Sequence, residues 1–296
     1  MSDATGELTI AFNGEIFNYV ELREQLRARG RRFRTGSDTE VILHLYDEMG
    51  DGCLSVLNGD FAFAIWDARR RRMLLARDRM GVRPLFYTQR DGRFYFASEV
   101  KALLQVPGVT AELDPVALDQ IFTLWAPIAP RTAFRDISEL EPASLMIVQD
   151  GSVSTRPYWS LDYPDRDAPS RHRDEREAAE ELRALLTEAT RIRMRADVPV
   201  GAYLSGGLDS SITSALAVGI APAGLKTFSV TFDSAEHDES AFQLEMARAL
   251  GTEHRAVACR EGDIAAVCPD VIRFTERPII RTAHAPLFKL SGLVRE

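Results

Sequence analysis

The stretch Val198-Pro-Val-Gly-Ala-Tyr-Leu-Ser-Gly-Gly-Leu-Asp-Ser-Ser-Ile-Thr-Ser-Ala-Leu-Ala-Val218 sets the reading of the chain. An apolar run, Val198 to Leu204, stops at "SGGLDSS" (205–211) and continues as an apolar helix. That is a strand, a loop without bulk, and a helix. Two adjacent glycines, Gly206 and Gly207, allow a ligand to approach the backbone with no β-carbon in the way. The helix behind them offers unpaired N–H groups and the positive end of its dipole. Such a site takes phosphates, and Ser205, Ser210 and Ser211 add hydroxyls. Asp209 would repel a phosphate unless a cation stood between them, which points to Mg2+. The stretch does not match G-x-x-x-x-G-K-[ST] or G-x-G-x-x-G, which disfavours a motor-type nucleotidase and a dinucleotide fold. A tight turn into a capped helix is the plain alternative.

Outward from this loop, strands and helices alternate. "REAAEELRALLTEATRIRMR" (176–195), "SSITSALAVG" (210–219), "DESAFQLEMARALG" (238–251) and "GDIAAVCPDVIRF" (262–274) read as helices. "VPVGAYL" (198–204), "KTFSVTF" (226–232) and "EHRAVAC" (253–259) read as strands. The alternation argues a parallel α/β sheet. Upstream, the polar segment 161–173 reads as a linker.

Residues 1–160 have a different pattern. "LTIAF" (8–12) is a short strand running into "NGE". Helices are expected at "NYVELREQLRARG" (18–30), with Asn18 as cap, and at "SDTEVILHLYDEMG" (37–50), behind a Ser-Asp cap and with Val41, Ile42, Leu45 and Met49 as its apolar positions. "LDPVALDQIFTLW" (113–125) is a third. Two strands flank the charged turn Arg69–Arg72. Hairpins turn at Asp91-Gly92 and Asp150-Gly151.

The chain has 296 residues, 45% of them hydrophobic, a net charge of −8 and a pI of about 5.3. That is enough for two domains and gives no general attraction to nucleic acid. The basic runs Arg27–Arg34 and Arg69–Arg72 read as a solvated helix end and a hairpin tip. Three scattered cysteines, Cys53, Cys259 and Cys268, have no metal-ligand spacing and fit a reducing, cytoplasmic setting. Cys53 reads as a small core residue. His44, His172, His237, His254 and His284 show no ligand spacing either. No run reaches the ~18 apolar residues of a membrane span, and "MSDATGELTI" has no signal-peptide pattern.

"SGGLDSS" resembles the pyrophosphate loop of the N-type ATP pyrophosphatases. "FNGEIFNY", "RTGSDTEVIL", "LNGDFAFAIWD", "LLARDRMGVRPLFY" and "FASEVKALL" occur in that order and resemble the glutaminase domain of glutamine-hydrolysing asparagine synthetase. "HDESAFQLEMARALGTEH" and "TERPIIRTAHAPLFKLSGLVRE" resemble the start of its synthetase domain. The resemblance implies an α+β first domain, layered as helix, two antiparallel sheets and helix, over 1–160. It implies a partial α/β ATP-pyrophosphatase domain over 174–296. The activity implied is amidation of aspartate through an aspartyl-adenylate, with ammonia from glutamine and with ATP and Mg2+. A homodimer is also implied, with no interface legible in the residues.

Carried over, Asn13 and Gly14 are the oxyanion donors, and Asn13, Gly14 and Glu15 bind glutamine. Asp38 holds its α-amino group. Leu204 and Val230 read the adenine by their backbone. Ser205, Gly206, Gly207, Leu208, Asp209, Ser210 and Ser211 form the pyrophosphate loop, with Asp209 on the magnesium side. Read alone, Asn13-Gly14 is also a turn dipeptide and Asp38 a helix cap. Arg77, Asp78, Gly81 and Arg83 read as a structural turn with buried ion pairs.

Two departures matter. The family's nucleophilic cysteine follows the initiator methionine; here residue 2 is Ser. The family's second phosphate loop would lie beyond "LSGLVRE". The chain thus reads as a piece lacking both ends, with exposed apolar edges and low stability expected. Two alternatives stay open: a ligase that amidates another carboxylate or closes a β-lactam ring, and a catalytically dead chain.

Overall fold

The computed structural model describes residues 1–167, 174–221, 224–234, 236 and 238–296. The end of the expected linker, with His172, and His237 lie outside them. Two compact units emerge: Met1–Tyr163 with Glu276–Pro278, and Pro164–Thr275 with Ile279–Glu296.

The first unit contains β1 (Leu8–Ile16), α1 (Tyr19–Ala28), α2 (Asp38–Met49), β2 (Gly59–Asp67), β3 (Arg72–Arg77), β4 (Phe86–Arg90), β5 (Arg93–Ala97), α3 (Val100–Leu103), α4 (Pro115–Leu124), β6 (Ser138–Glu139), β7 (Ser144–Gln149) and β8 (Ser152–Pro157). One antiparallel sheet runs β1-β2-β3-β7-β8 and a second runs β5-β4-β6. Period-two alternation builds the layers. Phe61, Phe63 and Ile65 of β2 pack with Leu74 and Ala76 of β3 against Leu22, Leu26, Val41, Ile42 and Leu45 of α1 and α2. The opposite face carries Ala62, Ala64, Leu75 and Met146, whose small and flexible side chains admit Tyr87, Phe94 and Phe96 of the second sheet. Beyond that sheet, Val100 and Leu103 of α3 cover Phe86 and Tyr95. The order is helix, sheet, sheet, helix, as the family resemblance implied.

Local signals set several of the element ends. Ser37 caps α2 by accepting the Thr39 N–H, and Asp114 caps α4 by accepting those of Val116 and Ala117. Asp38, weighed above as a cap, is instead the first helical residue. Met49 is exposed, unlike the other apolar positions of α2. Asn18 occupies the cap position of α1 but makes no capping bond. Its side chain accepts from the Asn58 N–H and donates to the Val56 carbonyl, tying α1 to the start of β2. Asp91-Gly92 and Asp150-Gly151 have positive φ throughout, which suits two-residue hairpins. The basic runs are ion-paired: Arg31 to Asp47 and Glu48, Arg69 to Asp47, Arg70 to Asp67, Arg72 to Asp51.

The second unit contains α5 (Glu175–Arg193), β9 (Gly201–Tyr203), α6 (Leu208–Ile220), β10 (Lys226–Phe232), α7 (Ser240–Leu250), β11 (Glu253–Cys259), α8 (Glu261–Thr275) and α9 (His284–Arg295). Its sheet, β11-β10-β9, is parallel throughout. β9 is shorter than the apolar run around it, α6 begins two residues earlier than the sequence suggests, and α9 was not anticipated. Leu182 and Leu185 of α5, Tyr203 of β9 and Phe242 of α7 are exposed.

Candidate functional site

The loop 205–211 emerges at the carboxyl end of β9. Leu204 is fully buried and its N–H extends the sheet to the Phe228 carbonyl at 2.9 Å. Gly206 has φ +87, and a β-carbon there would stand 3.0 Å from Cβ of Phe242 and 3.1 Å from the Gln243 nitrogen. Glycine is therefore required at this position by both its φ and the space around it. Gly207 is the N-cap of α6 and supplies no side chain, so the first-turn N–H groups of α6 take no side-chain cap. The serines organise the loop. Ser205 Oγ and Ser210 Oγ lie 2.9 Å apart, and the Ser211 hydroxyl donates to the Gly207 carbonyl at 2.8 Å. Ser205, Leu208 and Asp209 face solvent. An open amide cradle on a helix N-terminus fits the phosphates of a nucleotide.

Among the described residues no group of three His, Cys, Asp or Glu could hold a metal ion. Mg2+ beside a nucleotide is bound by one or two carboxylates, phosphate oxygens and water, so an exposed Asp209 next to the loop fits that role without such a cluster.

One residue was missed from sequence. Gln243 of α7 is buried; its Nε2 donates to the Val230 carbonyl at 3.0 Å and to the Ser205 carbonyl at 3.4 Å. It thus joins two of the positions assigned to the nucleotide. Only a buried polar residue on an otherwise apolar helix face could have marked it.

In the first unit, Asn13, Gly14 and Glu15 lie within β1 rather than at a turn, opposite Ala62, Phe61 and Asp60. The Asn13 side-chain amide donates to Ser98 Oγ at 3.2 Å. Both residues line a cavity of about 150 Å³ between the sheets, with Ala11, Ala64, Phe96 and Ala97. Asp38 Oδ2 accepts the Ile16 N–H at 2.9 Å, which brings its carboxylate to the end of β1 beside Glu15.

The turn after β3 is structural. The Asp78 carboxylate accepts the N–H groups of Phe61, Met80, Val82 and Arg83. Arg77 donates to three backbone carbonyls and pairs with Glu139. The expected ion pair is thus Arg77–Glu139, and Asp78 serves backbone amides instead.

Cys53 is fully buried in the helix-side core, and burial, reinforced by Asp51, pushes its thiol up to about 12. It is no thiolate nucleophile. Ser2 bridges Thr9 of β1, four residues from Asn13, or roughly 13 Å at strand rise.

Residues 1–159 match the glutamine amidotransferase domain family and residues 181–296 match asparagine synthase. The glutamine-hydrolysing asparagine synthetase 3 of Bacillus subtilis is 38% identical over 274 residues, 86% of this chain and 43% of the relative. The chain belongs to the glutamine-hydrolysing asparagine synthetase family. A second asparagine synthetase of B. subtilis, numbered 1, is 35% identical over 94% of this chain and 43% of its own length. Outside those synthetases, amidase chyE of Penicillium rubens is 33% identical over 94% of this chain. The chain therefore spans less than half the length of these relatives of the asparagine synthetase family. Among solved structures, the glutamine phosphoribosylpyrophosphate amidotransferase of B. subtilis, complexed with ADP and GMP, aligns over 87% of this chain and 62% of its own at 20% identity, with a TM-score of 0.39. The family comprises glutamine-hydrolysing carbon–nitrogen ligases. Among the described residues no helix is long and apolar enough to cross a membrane.

Proposed function

We propose that the chain binds ATP at Leu204–Ser211 and glutamine at Asn13, Gly14, Glu15 and Asp38, as parts of a ligase that converts aspartate to asparagine. The observation that carries this reading is the exposed, uncapped helix N-terminus behind Gly206-Gly207 at the sheet's carboxyl edge. The backbone of Leu204 and Val230 holds the adenine, and the loop amides and serine hydroxyls hold the pyrophosphate half. Asp209 would hold Mg2+, which would supply charge neutralisation between the carboxylate and the phosphates. A carboxylate is a poor acceptor for ammonia until it carries a leaving group. Adenylation of aspartate supplies one, and donors aimed at the departing pyrophosphate lower that barrier. In the first unit Asn13 and the Gly14 N–H are the oxyanion donors for glutamine's amide.

The placement of Cys53 favours a second statement: this chain by itself binds glutamine without hydrolysing it. Calorimetry with ATP plus MgCl2, and separately with glutamine, tests both sites. ATP binding that depends on Mg2+ and weakens in Asp209→Asn supports the reading; no ATP binding at millimolar concentration overturns it. Glutamate release from glutamine by the chain would overturn the second statement. AMP release across a panel of carboxylates decides between aspartate and another acceptor.

A further inference from the structure

The segment Glu276-Arg277-Pro278 is not used by either proposed site, although it belongs to the first unit. Glu276 has φ +55, a left-handed backbone that is unfavourable for a residue with a β-carbon and persists where the surroundings hold it. Its side chain is only 9% exposed. Oε2 accepts the Val100 N–H at 2.6 Å, and Oε1 accepts the Lys101 N–H at 2.7 Å and Lys101 Nζ at 3.2 Å. Those N–H groups open α3, whose own cap residue, Glu99, makes no capping bond. A carboxylate 175 residues away in the chain therefore caps this helix. α3 has only four residues, so its place depends on that anchor and on the packing of Val100 and Leu103. Two residues before it stands Ser98, whose hydroxyl accepts one hydrogen of the Asn13 side-chain amide. Among the described residues Ser98 is the acceptor given for that amide, and its second hydrogen can serve an oxygen placed in the cavity that Asn13 and Ser98 line.

We propose that Glu276 is a positioning residue for Asn13. By capping α3 it fixes Ser98, and Ser98 sets the orientation of the amide that meets glutamine. The role at glutamine rests on the function proposed above; the control of Asn13 geometry does not.

The test is NMR on the full chain, with the Asn13 side-chain amide pair assigned through Asn13→Asp. Glu276→Gln keeps the shape and removes the charge. It is expected to speed exchange of the Val100 and Lys101 amides about ten-fold, displace the Asn13 amide pair, and weaken glutamine about five-fold. Ser98→Ala leaves Glu276 in place. It should displace the same pair and weaken glutamine while the Val100 and Lys101 amides exchange as before. Asn13 resonances unmoved in either variant overturn the proposal. Should the unaltered chain fail to bind glutamine, the glutamine reading falls, and the displacement of the Asn13 pair still decides the positioning role.

Discussion

Gly14 and Asp60 approach so closely across β1 and β2 that a β-carbon on the glycine would stand 2.1 Å from the aspartate's carbonyl oxygen. Gly14 also has φ +149, a backbone that side-chain-bearing residues rarely adopt. Gly14→Ala must therefore push two paired strands apart as well as strain its own backbone. A loss of roughly 2–4 kcal/mol is expected in urea unfolding, together with loss of glutamine binding. A loss under about 0.5 kcal/mol, the range of innocuous surface changes, would show that the strands can part freely.

The cysteines should differ sharply in reactivity. Cys53 is fully buried with its thiol shifted up, whereas Cys268 is half-buried on α8. With a thiol-specific disulfide reagent at pH 8, Cys268 should label first and Cys53 only after unfolding. Mass mapping of the labelled peptides reads this directly. Rapid labelling of Cys53 in the folded chain would contradict its place in the core.

Glu40 gives the first unit an acid-sensitive element. Burial acts to raise its carboxyl, but the N–H of Arg34 and the hydroxyl and N–H of Thr35 outweigh it and hold the group below its ordinary 4.5. A carboxyl lowered in the folded state contributes stability above its unfolded value. That contribution is lost as pH falls through the lowered one. Glu40→Gln should be less stable at pH 7 by roughly 1–3 kcal/mol, and the gap should narrow below about pH 4. Urea titrations at pH 7 and pH 3.5 measure it; a gap constant across that range would assign the effect to packing alone.

The parts of this molecule that follow short-range rules were legible in the sequence. Phe61, Phe63 and Ile65 alternate with Ala62 and Ala64, and that period alone separates the helix-facing side of β2 from the sheet-facing side. Asp91-Gly92, Asp150-Gly151 and Ser37 announced two turns and a cap because each acts on its immediate neighbours. The opening of α3 was not legible: four residues carry no period, and their cap comes from Glu276. Asn13-Gly14 looked like the end of a strand because both residues are poor strand formers. Only the pairing with β2 shows that β1 continues to Ile16. Gln243 was read as one more residue of a helix, because its two acceptors, Val230 and Ser205, come from separate segments.

That residue yields a direct test of the nucleotide site. β9 pairs with β10 only as far as Phe228, and the carbonyl of Val230, further along, takes the Gln243 amide. The same amide reaches the carbonyl of Ser205, the first residue of the phosphate loop. Gln243→Leu keeps most of the volume and removes the donor, leaving both carbonyls without it. A buried acceptor deprived of its donor costs about 1–3 kcal/mol, so a comparable loss in urea unfolding is expected. If Gln243 holds the loop relative to β10, ATP should also bind about ten-fold more weakly. The affinity measurement is the decisive one: a variant that loses stability but binds ATP as before would make Gln243 a packing residue with no part in shaping the loop.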